Sequence, residues 1–363
     1  MRIFITHILP HKDVLKYNIS VAGCNFSWNL IEGGLFDKVY SILPPFVSGK
    51  IDVDYEDLVY SEWRKRGRSW AKFAVLKEQW DVFKMIPNHS KVWFYNMTPI
   101  NCLLFCLLRI FKRTVQSNVI ILDYTPYKRK ISFANLMLWL CNKANGTITL
   151  ANSPLFKCKN TVLLPGVVSL KAENLPKIEK VSKDFLISGV LREEISLISV
   201  LLQTFAKLPD CNLHITGFVV DDMMIKEYAE KFDNIIYHGK VECKEYVRLL
   251  KVVPFLLSTR NPKVPENQCN FPSKVIEALL YNRIVISTIH YKQLKGINYF
   301  EVSDDVEPLV EDIRRIVSID SYELLKYANQ SYKVKELFGV DVWKRKMEQI
   351  ERLYMICKSN NNG

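Results

Sequence analysis

The sequence has no glycine-rich phosphate loop. Its 13 glycines include no Gly-x-Gly pair, so neither the dinucleotide fingerprint nor a Walker loop is present. That argues against a nicotinamide-dependent dehydrogenase and against a P-loop NTPase. None of the 9 cysteines forms a CxxC pair and the 6 histidines are scattered, so spacing assembles no zinc site. Cys102 and Cys106 stand one helical turn apart on an apolar stretch and read as core residues. An odd, unpatterned set of thiols suits a reducing cytoplasm. The longest near-continuous apolar run, Cys102–Phe111, includes Arg109 and falls well short of the ~20 residues that cross a bilayer. The opening MRIFITHILP reads as a strand, without the charged, apolar and small-residue parts of a leader. The expected location is the cytoplasm, either soluble or peripheral on the inner face of the cell membrane.

What the chain does have is core-forming material and an uneven charge. With 363 residues, 48% hydrophobic and 12% aromatic, two domains are the natural expectation. The net charge is +12, and Met1–Val168 carries 22 Lys+Arg against 11 Asp+Glu. The remainder, with 28 against 27, is nearly neutral. The first half therefore expects an anionic partner: phospholipid, a polyprenyl pyrophosphate or nucleic acid. No nucleic-acid-binding motif accompanies the charge, so nucleic acid is set aside.

Apolar runs alternate with helical patterns twice over. Strands are predicted near residues 2–8, 38–43, 92–95, 119–122, 147–150 and 161–164, with helices near 22–30, 70–83, 100–111 and 133–142. A second series has strands near 185–188, 212–216, 234–237, 254–257 and 284–287, with helices near 193–206, 223–231, 244–250 and 273–280. Such alternation indicates parallel sheets covered on both faces, in an α/β chain of two Rossmann-like domains. The expected division is 1–168, a linker at 169–183, a second domain at 184–340, and a C-terminal helical segment, 341–363, that could pack back on the first domain.

Ligands of doubly wound sheets bind beyond the carboxyl ends of the strands. The most informative segment is Leu256–Thr288. A strand ends there at Ser258-Thr259, Arg260 and a polar loop follow, and Pro272 stands near the first position of a new helix. Ser273, Lys274 and Glu277 share one face of that helix. Free N–H groups, a hydroxyl and a lysine at a helix N-terminus make a diphosphate cradle, and a carboxylate one turn deeper can accept from a ribose diol. Arg260 is placed to reach the same crevice. The plainer alternative is a capped helix with Lys274 and Glu277 solvated.

Three stretches, in this order, resemble the donor-binding domain of GT4-like glycosyltransferases, particularly those of bacterial capsule and exopolysaccharide synthesis. They are FLISGVLREEISLISVLLQTFAKLPDCNLHITG (185–217), NIIYHGKVECKEYVRLL (234–250), and Asn261-Pro262 with FPSKVIEAL before the strand ending at Thr288. The resemblance implies the GT-B fold, two Rossmann-like domains facing a central cleft. It implies a hexosyltransferase that takes a nucleoside diphosphate sugar, UDP-linked, to a glycan or polyprenyl-linked acceptor in surface polysaccharide synthesis. Retention of configuration and no metal or other cofactor are implied as well. It assigns donor binding to Gly189 of the Gly-x-Leu turn and to Asn270, Phe271, Ser273, Lys274 and Glu277, with Glu277 on the nucleotide ribose. The chain departs from the family at Cys269, where the first of two paired glutamates stands; Glu266, Asn267 and Asn270 are the polar residues nearby. The cations usual in the Gly-x-Leu turn are replaced by Val190 and Ile195, leaving Arg192 to reach a phosphate or to lie as a surface arginine. A non-catalytic nucleotide-sugar-binding scaffold at the membrane and a GT-B-like nucleotide-sugar epimerase are the rival functions.

In the first half, Asp123 follows a predicted strand and would orient or deprotonate an acceptor hydroxyl, or cap the following turn. Gly23 and Asn25 open a helix and are acceptor-side candidates. His7 and His11 bracket the end of the first strand and are either structural or functional. Glu62–Trp80 interleaves Arg64, Lys65, Arg66 and Arg68 with Trp63, Trp70, Phe73 and Trp80. That pattern suits the surface of an anionic membrane, or a solvated basic face with its aromatics turned inward.

Overall fold

A computed structural model describes residues 1–360 except 15, 18, 52, 123, 125–131, 169–176 and 220, and omits the side chains of 11, 12, 21, 243, 268 and 355–360. The chain forms two compact units, Met1–Lys171 together with Phe338–Gly363, and Ala172–Leu337.

The first unit begins β1 (Arg2–Thr6), α1 (His11–Val14), α2 (Val21–Glu32), β2 (Lys38–Ile42) and β3 (Leu58–Val59). A 3-10 turn at Glu62–Arg66 leads into α3 (Arg68–Met85), β4 (Lys91–Tyr95), α4 (Cys102–Phe111) and β5 (Gln116–Ile121). Then come α5 (Phe133–Asn142), β6 (Gly146–Thr149) and β7 (Thr161–Leu163). The strands form a parallel sheet in the order β3-β2-β1-β4-β5-β6-β7. Its central strands are apolar on both faces because helices cover both. Val75 and Val82 of α3, Leu104 and Leu108 of α4 and Met137 and Leu140 of α5 pack with Ile3, Val92 and Val119 in one core. Those three helices therefore cover the same side of the sheet.

The second unit runs β8 (Asp184–Leu191), α6 (Glu193–Ser196), α7 (Ile198–Ala206), β9 (Asn212–Val219), α8 (Met223–Lys231), β10 (Ile235–Gly239), α9 (Cys243–Val252) and β11 (Phe255–Ser258). It continues through α10 (Pro265–Cys269), α11 (Ser273–Leu280), β12 (Ile284–Ser287), β13 (Phe300–Glu301), α12 (Val306–Val317), α13 (Ser321–Leu324) and α14 (Ser331–Phe338). The sheet is again parallel, ordered β10-β9-β8-β11-β12-β13.

The final helix, α15 (Val340–Asn360), is part of the first unit. Trp343 is fully buried and donates through Nε1 to the Gly166 carbonyl at 2.8 Å. Ile350 fills the space beside Gly146, where any Cβ would lie 2.1 Å from its Cγ2. The buried Glu351 carboxylate accepts from Arg2 Nε at 2.7 Å, Lys91 Nζ at 2.9 Å and Trp93 Nε1 at 3.1 Å. Burial opposes its ionisation, but these donors outweigh burial and hold the carboxyl below the usual range.

Two expectations need correction. Arg64 does not face outward with its basic neighbours: it is fully buried, paired with Glu78 at 2.7 Å and donating to the carbonyls of Leu43, Pro44 and Val47. The single helix expected near 193–206 is two, because Leu197 adopts a left-handed conformation with φ +53°. The break is held from outside. Thr259 Oγ1 donates to the Ser196 carbonyl at 2.9 Å, and Asn261 N and Asn267 Nδ2 donate to that of Ile195 at 2.9 and 3.2 Å.

Candidate functional site

In each sheet the strand order reverses next to the first strand of its unit, between β1 and β4 in one and between β8 and β11 in the other. A parallel sheet opens a crevice at such a point, because the flanking connections leave to opposite faces.

In the second unit, β8 delivers Ser188 and Gly189 to that point. Gly189 lies directly beside Gly217 of β9. A Cβ on Gly217 would lie 1.9 Å from the Gly189 carbonyl oxygen, and φ there is +141°, so only glycine lets the strands approach here. Around Gly189 itself there is open space for a Cβ, although its φ is +125°. We therefore predict that Gly217→Ala costs about 2–3 kcal/mol and Gly189→Ala distinctly less. Equal denaturation midpoints for the two variants would refute this.

From α11, Lys274 and Glu277 face Tyr246 of α9. Lys274 Nζ lies 2.7 Å from Glu277 Oε2 and 4.0 Å from the centre of the Tyr246 ring. The Tyr246 hydroxyl donates to the same carboxylate oxygen at 3.1 Å and accepts from Ser188 Oγ at 3.4 Å. Burial, with the Glu277 charge second, pushes the Tyr246 phenol well above its ordinary value, so it stays a donor. Lys274 and Glu277 side chains are 38% and 34% exposed, open enough to exchange their mutual bond for a ligand.

The remaining candidates of this unit are spread around the cluster. Ser273 is exposed at the first helical position of α11, and Pro272 precedes the helix as N-cap instead of opening it. The N-cap is a proline, whose side chain makes no capping bond to the first turn. Arg260 is braced: its Nη1 donates to Asn267 Oδ1 at 3.3 Å, and its backbone N and O are both bonded to the Thr288 hydroxyl at 2.7 Å. Asn267 is buried, and its three bonds tie the α6–α7 break to the loop after β11, so it serves as a brace. Cys269 is buried at the end of α10, a short helix in what the sequence presents as polar loop. Phe271 is buried against the Tyr291 ring at 5.0 Å, and Asn270 is half-exposed in extended conformation just before it. Arg192 is exposed at the start of α6.

At the switch point of the first unit stand His7, just after β1, and Tyr95, ending β4; their rings meet edge to face at 4.8 Å. Burial lowers the His7 pKa to about 4, so the imidazole is neutral at physiological pH. Gly23 abuts this pair: a Cβ there would lie 2.2 Å from the Tyr95 hydroxyl oxygen. Its N–H is held by the N-cap Ser20 at 3.3 Å, while Asn25 is exposed two residues on. Asp123 lies outside the described residues, as does the side chain of His11. Tyr246, Ser188 and Tyr95 are not prominent in the sequence. The one signal available for the last two is their position at a strand's carboxyl end. Among the described residues no group of three His, Cys, Asp or Glu side chains is placed to hold a metal ion.

No family model matches the sequence, and no curated protein matches it. Solved structures do match in fold. The N-terminal domain of Candida albicans trehalose-6-phosphate phosphatase superposes with a TM-score of 0.67 at 13% identity, covering 98% of this chain and 96% of that one. The lipopolysaccharide outer core galactosyltransferase WaaB, in its apo form, gives 0.60 at 15% identity, covering 96% and 99%. Anabaena HepE in complex with UDP-glucose gives 0.59 at 10% identity, covering 96% and 98%. The fold is GT-B. Within it, the switch point of the second unit carries Lys274, Glu277 and the N-terminus of α11.

Proposed function

We propose that the chain is a glycosyltransferase that moves a hexose from a UDP-linked donor to a glycan or polyprenyl-linked acceptor. The reaction retains configuration, needs no metal, and serves surface polysaccharide synthesis. The observation that carries the proposal is the cluster of Ser188, Tyr246, Lys274 and Glu277 at the second unit's switch point. The UDP-glucose complex of the similarly folded HepE and the galactosyltransferase activity named for WaaB support it.

The first turn of α11 and the Lys274 ammonium offer a positive face to a diphosphate. Glu277 accepts from a ribose hydroxyl. Arg192 and Arg260 add cations that stabilise charge as the diphosphate leaves. A nucleotide entering here replaces the Lys274–Glu277 pair, which at this exposure is worth only about 0–1 kcal/mol. Gly189, Asn270, Phe271 and Ser273 complete the donor side. Gly23, Asn25 and Asp123 are assigned to the acceptor side, with Asp123 orienting the acceptor hydroxyl. A second reading, a binding protein without transfer, is favoured by one feature: a buried thiol, Cys269, where the resemblance calls for a carboxylate.

The test is thermal denaturation against a panel of nucleotides and nucleotide sugars. A ligand at a hundredfold excess over its Kd stabilises by about 2.7 kcal/mol. UDP or one UDP-sugar is expected to raise the midpoint, and Glu277→Ala to abolish the rise. Silence across the panel would end the transferase reading. Binding without transfer to any acceptor would leave the second reading standing, and donor consumed without acceptor would indicate an epimerase.

A further inference from the structure

We propose that the outer face of α3, α4 and α5 is a docking surface for an anionic lipid bilayer. These helices turn their inner faces to one side of the first sheet, so their outer faces look the same way. Those outer faces carry large apolar groups where a soluble helix usually carries charge. Trp70, Phe73 and Trp80 of α3 are 43–57% exposed, Ile110 of α4 is 57% exposed and Trp139 of α5 is 54% exposed, while the exposed Phe111 and Phe133 stand at helix ends on the same stripe as the buried residues. On α3 the spacing of three and seven residues sets its rings in one line, opposite the buried Ala71, Ala74, Gln79 and Val82.

The charge of this stretch is mainly positive. Residues 62–143 hold 15 Lys+Arg and 4 Asp+Glu in the sequence; Arg64 is buried on Glu78, Lys91 is paired with Glu351, and Lys128, Arg129 and Lys130 lie outside the described residues, which leaves ten cations. Three of the four acids are already engaged: Glu78 is buried on Arg64, Glu62 pairs with Lys65 and Asp81 with Lys77. Cations lie over the rings, Arg66 at 5.1 Å from Trp70, Lys84 at 5.6 Å from Trp80 and Lys143 at 5.7 Å from Trp139. An aromatic body with an ammonium or guanidinium tip matches the boundary between acyl chains and anionic headgroups. No helix among the described residues is long and apolar enough to cross a membrane, so contact through this face is interfacial. The surface extends well beyond the Glu62–Trp80 stretch to two further helices, and it excludes Arg64. It stands independently of the donor-site assignment.

The experiment is sedimentation of the full chain with vesicles of phosphatidylcholine alone and of phosphatidylcholine mixed with phosphatidylglycerol. Binding to the anionic vesicles, weakened by salt, is expected. The triple substitution Trp70→Ser, Phe73→Ser and Trp139→Ser should lower the partition coefficient about tenfold or more. Circular dichroism and an unchanged melting midpoint show that the variant is folded. Wild-type protein supplies a readout that needs no variant: four of the 7 tryptophans, Trp63, Trp70, Trp80 and Trp139, should be quenched by brominated acyl chains. Failure to bind anionic vesicles, or binding untouched by the triple substitution and without quenching, would overturn the proposal. In that event a change of the variant's oligomeric state on a sizing column would assign the face to a second copy of the chain.

Discussion

Glu78→Ala is expected to destabilise the first unit by about 3–5 kcal/mol, a large part of the ~5–15 kcal/mol that holds a typical domain together. Glu78 is the only carboxylate that meets Arg64 among the described bonds, and both side chains are sealed from water. Arg64 Nε and Nη2 each donate to it at 2.7 Å, and the Ser61 amide donates at 2.8 Å. Removing the carboxylate strands a guanidinium that cannot lose its proton. The carbonyls of Leu43, Pro44 and Val47 would remain as its partners, but the Nε–H, one Nη2–H and the Ser61 N–H would lose theirs and the charge would be uncompensated. The double variant Arg64→Met, Glu78→Leu should recover only part of the loss: it removes the stranded charge, but takes the Arg64 donor from the Leu43, Pro44 and Val47 carbonyls and the Glu78 acceptor from the Ser61 amide. Urea denaturation of the three proteins checks both statements. A single-variant loss below about 1 kcal/mol would show that water reaches Arg64 after all.

Lys274→Ala should have the opposite profile, with turnover falling roughly 10²–10³-fold, the loss found when one preorganised donor to a developing charge is removed. Stability should move by less than about 1 kcal/mol, because the Lys274–Glu277 pair is more than a third exposed at both ends. The measurement is steady-state transfer from whichever nucleotide sugar gives a thermal shift, alongside the melting midpoint. Unchanged turnover would remove Lys274 from the mechanism. A collapse in stability would mean that its contact with the Tyr246 ring at 4.0 Å holds α9 to α11, a structural role.

Much of the architecture is visible in the sequence because parallel strands buried on both faces leave short, dense apolar runs. Runs such as FLIS and IVIS stand out for that reason, and β3 and β13, two residues each, do not. The donor-side candidates Ser273, Lys274 and Glu277 could be picked out because they share one helix and its periodicity. Tyr246 could not, since its relation to Glu277 depends on two helices packing side by side, 31 residues apart in sequence. Arg64 was hidden for a related reason. Among four basic residues in five, nothing local marks the one whose counterion lies 14 positions away on the next helix. The break at Leu197 is set by Thr259 and Asn267, side chains from another strand connection, and no local propensity records them.

The placement of α15 bears on the order in which the molecule can be made. Its Trp343, Ile350 and Glu351 complete the first unit, closing on Gly166, Gly146 and Arg2. Yet the ribosome delivers them only after the whole of Ala172–Leu337, an intervening stretch of 166 residues. At about 5–20 residues per second, the early half waits roughly 10–30 s for its last helix. During that wait the second unit, contiguous in sequence, is free to fold. The half synthesised first is therefore the half that finishes last, and for that interval Arg2 and Lys91 lack the carboxylate that later buries between them.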